Sequence, residues 1–377
     1  MRVLLTGGGS GGHVYPAIAI ADTIRANIPD AQIAFVGVRG GKEDDLVPRE
    51  GYRLYHVESQ GLRRSLSPSN IKALMTAIVS PHSKATRAIL EEFHPDIVIG
   101  TGGYVCWPLL RAAAYAKIPT MVHESNCKPG LAVRMLQHSV DAVLLNFSET
   151  REKLICRKKC ITVGNPIRGA FDNIPCQTAR DRLGLKDQQK MVLCYAGSQG
   201  SASVNAAVLE MLKTLAPTRP TVRFVLATGT ANYSEAQSLY KEYQLHHYDN
   251  IVMEKYIYDM PLQLGAADVV ISRAGAMSLS ELSHMGKAAI IIPSPYVADG
   301  HQLCNAQALA ARGAALMVEE QDFSGGALSR AVNTLLDDGG LAHRLQKNIK
   351  AFTELDANRL IYEEIVKRVE KYRAKKK

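Results

Sequence analysis

Two apolar runs that each end in a cluster of glycines constrain this chain more than any other feature. Val3-Leu4-Leu5 leads into Gly7-Gly8-Gly9-Ser10-Gly11-Gly12-His13, and Met191-Val192-Leu193-Cys194-Tyr195-Ala196 leads into Gly197-Ser198-Gln199-Gly200-Ser201-Ala202-Ser203-Val204-Asn205. A strand that turns through glycines into a helix brings bare backbone N–H groups close to an anion, and the helix adds the positive end of its dipole. Such a turn is either a tight connection in a doubly wound domain or a phosphate site. The first loop ends on histidine where a dinucleotide-binding turn carries a small residue, so His13 sets an imidazole at a helix start and is a candidate general base.

Around these loops, short β-rich runs alternate with helical ones. Strands are expected from Val3 to Thr6, Gln32 to Val36, Ile97 to Gly100, Thr120 to His123 and Ala142 to Asn146, then at the Met191 run, Arg223 to Ala227, Ile251 to Met253 and Val269 to Ser272. This alternation predicts parallel sheets. It pauses at Val163-Gly164-Asn165-Pro166-Ile167-Arg168, which puts a hinge near Gly164. The expected architecture is α/β, with two Rossmann-like domains, 1–164 and 165–354, facing across a cleft that is the default active site. Leu360, Ile361, Ile365, Val366, Val369 and Tyr372 recur at helical spacing before a basic tail, so a closing helix at about 355–377 is expected to pack back onto the first domain. With 377 residues, 46% of them hydrophobic, the chain can fill two such cores.

A formal charge of +9 favours an anionic partner: nucleic acid, an acidic membrane face or a phosphorylated substrate. No recognised nucleic-acid module accompanies it, so nucleic acid is not expected. Seven scattered cysteines without a paired CxxC read as reduced thiols, Cys156 and Cys160 as surface ones, in a reducing cytosol. The start runs straight into a strand and leaves no room for a signal peptide, so export is not expected. Apolar stretches such as Ala288 to Pro293 are too short to span a bilayer, which makes any membrane contact peripheral.

A third cluster, Ser272-Arg273-Ala274-Gly275-Ala276-Met277-Ser278-Leu279-Ser280-Glu281, again joins a strand to a helix. Ser278 is placed to donate to a phosphate and Glu281 to accept from ribose hydroxyls, although the same spacing also makes a capping box. Together with Gly102-Gly103-Tyr104, His123-Glu124-Ser125-Asn126, Gly164 to Arg168, Gln302 and Asn305, these segments follow in an order that resembles the MurG family over essentially the whole chain. That family, of the two-domain GT-B glycosyltransferase fold, moves N-acetylglucosamine from UDP-N-acetylglucosamine to lipid I and so makes lipid II for peptidoglycan on the cytoplasmic membrane face.

The resemblance implies roles residue by residue. Arg168, Ser198, Ile257, Met277, Ser278, Glu281 and Gln302 match donor-binding positions: Glu281 for the ribose, Ser198 and Ser278 for the diphosphate, the Ile257 backbone for uracil, Gln302 for the sugar. Asn205, Arg273 and Asn305 accompany them. Gly11, Gly12, Tyr104 and Asn126 fall on the acceptor side, with His13 and Glu124 as rival bases. The implied reaction inverts the anomeric carbon, with no cofactor and no metal expected, because no DxD-type pair stands at the donor site.

Between Gly61 and Phe93, Leu62, Leu66, Ile71, Leu74, Met75, Ile78 and Val79 lie among Arg63, Arg64, Lys72, Lys84 and Arg87. The family presents an apolar, basic-rimmed patch in this region, so docking on an anionic membrane surface, near other wall-synthesis proteins, is implied; the same pattern also fits a core-facing helix. Trp107 either joins that patch or fills core. Ala196, Ser201, Val133 and His301 depart from the family's usual residues. Rival readings are another UDP-sugar-dependent glycolipid glycosyltransferase, a UDP-N-acetylglucosamine epimerase, and a non-catalytic UDP-sugar-binding scaffold.

Overall fold

A computed structural model describes residues 1–57, 84–172, 174–297, 300–353 and 355–376. The chain divides into two compact units, Met1–Gly169 with Leu355–Lys377, and Ala170–Glu354.

The first unit is built on strands β1 Arg2–Thr6, β2 Gln32–Gly37, β3 Arg53–His56, β4 Ile97–Gly100, β5 Thr120–Glu124, β6 Ala142–Leu145 and β7 Cys160–Thr162. They form one parallel sheet in the order β3-β2-β1-β4-β5-β6-β7. Successive strand side chains face opposite sides, so Val3, Leu5, Ile97 and Ile99 line one face while Leu4, Val98, Val122 and Val143 line the other. With both faces apolar, both must be covered by helices. The first helix, Gly11–Asn27, and the closing helix, Ala357–Lys376, cover the Val3 face, to which the closing helix contributes Ile361, Ile365 and Val369. Arg373 then ties its end to Asp96 at 2.8 Å.

The second unit carries β8 Lys190–Tyr195, β9 Val222–Ala227, β10 Ile251–Glu254, β11 Val269–Arg273, β12 Ala288–Ile292 and β13 Leu316–Met317. They too are parallel, in the order β10-β9-β8-β11-β12-β13. Val192, Cys194, Phe224, Leu226, Ile271 and Ile290 form the centre of a core closed by the helices Ala202–Thr218 and Ala327–Asp337.

Strand order reverses between β1 and β4 in one sheet and between β8 and β11 in the other. Loops that leave neighbouring strands in opposite directions open a crevice at such a switch point. Four of the glycine-bearing segments singled out in the sequence, those at Gly7, Gly102, Gly197 and Gly275, are the loops that follow these four strands.

Three strands that the sequence reading omits, β3, β7 and β13, are short strands at sheet edges, and β12 is an Ala-Ala-Ile-Ile-Ile run with no periodicity to separate strand from helix. Cys160, expected at the surface, is buried because its side of β7 packs onto the core. Among the described residues no helix is long and apolar enough to cross a membrane.

Candidate active site

In the first unit the loops after β1 and β4 touch backbone to backbone. A Cβ on Gly103, whose φ is +82°, would stand 2.3 Å from the Gly8 carbonyl oxygen, so this approach requires glycine. The His13 ring fills the space beside Gly102, where a Cβ would lie 2.6 Å from Cδ2. Thr101 Oγ1 donates to the His13 carbonyl at 2.6 Å and fastens the first helical turn to β4.

The His13 Nδ1 lies 3.0 Å from the Gly8 carbonyl oxygen and 3.2 Å from Ser10 Oγ. A carbonyl oxygen only accepts, so Nδ1 carries the proton and Nε2 keeps its lone pair. Burial holds the imidazole pKa below its ordinary value, opposed by the Gly8 carbonyl and by the charge of Glu43. At neutral pH His13 is therefore a neutral ring with a basic Nε2, the state a general base needs. Ser10 occupies the N-cap of the first helix but turns its hydroxyl towards His13 and does not cap with it. Gly11 and Gly12 form that uncapped first turn, and the Tyr104 ring packs on Gly9.

Glu124 ends β5 almost fully buried. Its Oε1 accepts from the Asn126 backbone at 2.9 Å and from Asn126 Nδ2 at 3.1 Å, and its Oε2 accepts from the Gly130 N–H at 2.7 Å. Burial raises this carboxyl pKa while the three bonds oppose the rise. Both oxygens are thus occupied in shaping the turn that presents Asn126. Arg168 also belongs to this unit, stacked 4.5 Å from the Tyr15 ring centroid; Tyr15 in turn flanks Gly11. The remaining donor-side residues lie in the other unit.

In the second unit the loop after β8 turns through Gly197 and Gly200, at φ +81° and +77°, while Ala196 stays out of the left-handed region. Ser198 is exposed on this loop. The loop after β11 leads to Gly275, the N-cap of helix Ala276–Met285, and Ser278 and Glu281 fall inside that helix. The Ser278–Glu281 capping box therefore does not form, which leaves both side chains to other partners. The half-buried Met277 shares that first turn, and the Ile257 side chain is buried beyond the end of β10.

Three further positions brace these loops. Asn205 donates to the Thr228 carbonyl at 2.8 Å, and Asn305 donates to the Ala274 carbonyl at 3.2 Å. Arg273 reaches from the end of β11 to Ser201 Oγ at 2.7 Å and to Glu320 at 2.5 Å. Gln302 accepts the Ser294 N–H at 2.9 Å through Oε1, so its amide nitrogen remains to donate.

Sequence reasoning did not single out Glu43, Tyr195 or Glu320. Glu43 is an acid with Gly37 and Gly41 close by in sequence and against its side chain, and glycines gathered around one carboxylate are the signal that marks it. Tyr195 ends β8 with its hydroxyl among Ser272, Ser278 and Glu281, and burial with the Glu281 charge raises its pKa. Nothing local in the sequence ties Glu320 to Arg273.

Two parallel α/β units, each with paired loops at the switch point of its sheet, have the architecture of the GT-B class. Residues 3–145 match the glycosyltransferase family 28 N-terminal domain, and residues 191–361 match the family's C-terminal domain. The chain is 38% identical, over 96% of its length and 98% of the relative's, to the UDP-N-acetylglucosamine–N-acetylmuramyl-(pentapeptide) pyrophosphoryl-undecaprenol N-acetylglucosamine transferase of Caldanaerobacter subterraneus subsp. tengcongensis. It is 39% identical to the transferase of that name from Clostridioides difficile, over 97% of this chain and 89% of that one. The crystal structure of Acinetobacter baumannii MurG, 24% identical, superposes with a TM-score of 0.73 over 97% of this chain and 99% of that one. The chain belongs to glycosyltransferase family 28, in its MurG branch.

Proposed function

We propose that this protein is an inverting transferase that moves N-acetylglucosamine from UDP-N-acetylglucosamine to the muramoyl 4-hydroxyl of lipid I, releasing UDP and forming lipid II. The observation that carries the reading is full-length kinship with transferases named for that reaction, in a chain whose two switch-point loops keep an imidazole base and a donor cluster.

The donor sits on the second unit. Glu281 accepts from the ribose hydroxyls, Ser198, Ser278 and the helix start at Gly275 hold the diphosphate, the Ile257 backbone meets uracil, and Met277 packs beside it. Gln302 donates its amide N–H to the sugar. Arg273, Asn205 and Asn305 fix the loops, and Arg168 is a cationic contact carried by the first unit. The acceptor diphosphate takes the uncapped turn at Gly11 and Gly12, with Tyr104 and Asn126 beside the sugar.

The acceptor 4-hydroxyl oxygen attacks the anomeric carbon from the face opposite UDP. As that C–O bond forms, the bond to the UDP β-phosphate oxygen breaks, and the hydroxyl proton passes to His13 Nε2. The loop amides and helix dipole of the second unit stabilise the charge developing on UDP. His13 is favoured over Glu124 because both Glu124 oxygens already accept hydrogen bonds.

The site of action is the cytoplasmic membrane face, reached peripherally. Lys84 and Arg87 are exposed on helix Lys84–Phe93, whose Ile89, Leu90 and Phe93 face the core. The rest of the expected patch, Leu62 to Val79 with Arg63, Arg64 and Lys72, lies outside the described residues. Trp107 packs against core, with the Arg111 guanidinium over its ring at 5.7 Å.

Radiolabelled UDP-N-acetylglucosamine with a soluble lipid I analogue tests the reaction. The expected product is the β-linked disaccharide. Transfer from UDP-galactose instead, or sugar epimerisation without acceptor, overturns the reading.

A further inference from the structure

Glu43 is 1% exposed and sits beneath a loop whose business is an anion. Its Oε1 accepts from the Val38 N–H at 3.1 Å and its Oε2 from the Gly9 N–H at 3.3 Å. Cβ atoms on Gly8, Gly37 or Gly41 would each fall 2.5 Å from its side chain, so three glycines make room for this one carboxylate. The placement is unfavourable for phosphate binding: it takes the Gly9 amide out of the anion nest and sets a negative charge below it. Some other service must account for an acid here.

The Gly8–Gly9 peptide supplies that service. Its N–H donates to Glu43 and its carbonyl accepts from His13 Nδ1, so a carboxylate and an imidazole grip opposite ends of one amide dipole. Hydrogen bonds in such a chain polarise one another, and a carboxylate on the N–H end makes the carbonyl a better acceptor. We propose that Glu43 is a positioning residue for the transfer: acting through the Gly8–Gly9 peptide, it fixes His13 in the Nδ1–H tautomer and stabilises the imidazolium formed when Nε2 takes the acceptor proton.

This inference rests on His13 being the base. On the loops around the ring, among the described residues, Tyr104 packs on Gly9 and the Cys106 thiol donates to the Gly102 carbonyl at 2.9 Å. Burial raises both pKa values, that of Cys106 to about 12, so both stay neutral. Arg168 stacks on Tyr15, which flanks Gly11.

Two measurements test the proposal. In the unaltered protein, nitrogen-15 spectra of His13 above its pKa should show a protonated Nδ1 and a bare Nε2; the opposite tautomer overturns the relay, and this readout needs no substitution. In Glu43→Gln the acidic limb of the kcat profile should move to lower pH by on the order of one unit, because removing the opposite charge makes the imidazole harder to protonate. Turnover should fall about tenfold with the KM for UDP-N-acetylglucosamine within about twofold, since donor contacts lie elsewhere. An unmoved limb, or a loss confined to KM, overturns it. His13→Ala separates the two ideas: if that variant keeps full turnover the base reading fails, whereas a dead His13→Ala beside a Glu43→Gln with an unshifted profile sinks the relay alone.

Discussion

The Arg273 guanidinium meets the Glu320 carboxylate at 2.5 Å, with side chains only 10% and 15% exposed. Arg273 also donates to Ser201 Oγ and to Ser203 Oγ, so the hydroxyl at the N-cap of helix Ala202–Thr218 serves the guanidinium and does not cap the helix. The first-turn amides of that helix therefore carry no side-chain cap, and Glu320 neutralises the guanidinium that holds Ser201. Ser201, a departure from the family's usual alanine, thereby gains a physical reason.

Removing one partner of a buried pair leaves the other charge unpaired. Glu320→Ala is expected to cost the second unit about 3 kcal/mol in urea unfolding and to weaken UDP binding by calorimetry. Glu320→Gln, which keeps a polar oxygen of the same size beside the guanidinium but not the charge, should lose less. Equal stability of all three proteins would refute the role.

Gly200 and Gly197 both adopt left-handed backbone, yet they should respond differently to alanine. A Cβ on Gly200 would stand 1.8 Å from the Thr228 carbonyl oxygen, whereas one on Gly197 meets nothing within 4 Å. Gly197→Ala should cost about 1 kcal/mol of backbone strain and keep UDP binding. Gly200→Ala should abolish UDP binding, because the loop must leave Thr228. Calorimetry on the pair distinguishes close approach from mere conformational preference.

The two roles assigned across the units separate cleanly in binding and turnover. Glu281→Ala should weaken UDP affinity by about 1 to 3 kcal/mol, the scale of a hydrogen bond to a charged group. His13→Ala should leave UDP affinity unaltered and cut turnover by about 10²- to 10⁴-fold, the usual worth of a positioned base. A His13 variant with weakened UDP binding, or a Glu281 variant with normal binding, contradicts the assignment.

What the sequence makes legible here is what a local signal carries. The Val3 and Met191 runs end in glycines, and both prove to be central strands whose loops stand at a switch point. His13 is visible because it closes such a loop. By contrast, Glu43 meets Gly9 and Glu320 meets Arg273 across long sequence separations, so spacing does not reveal these partners, although Gly37 and Gly41 mark the first acid. Glu124 is visible as an acid, but its use depends on the turn that folds the Asn126 and Gly130 amides onto both oxygens. Arg168 reads in the sequence with the donor residues, whereas its side chain stacks on Tyr15 of the first helix, a contact between segments far apart in the chain. Edge strands such as β3 escape because four residues carry too little periodicity.

His123 should make the protein acid-sensitive in a defined window. The ring is fully buried on β5, where its Nε2 donates to the Gly164 carbonyl at 2.8 Å, and burial lowers its pKa from 6.5 to about 4. As pH falls below 6.5, the unfolded chain binds a proton that the folded chain refuses until about pH 4. Stability is therefore full above pH 6.5 and lost progressively down to pH 4, by about 3 kcal/mol from this residue. The half-buried His13, whose pKa is also lowered, adds in the same direction. The depressed carboxyls of Asp44 and Asp96 contribute only at lower pH, where they begin to protonate. His123→Gln keeps a donor for Gly164 and cannot titrate. Urea unfolding at pH 7 and pH 4.5 should then show a much smaller acid loss in the variant than in the unaltered protein, and parallel losses in the two would assign the acid sensitivity elsewhere.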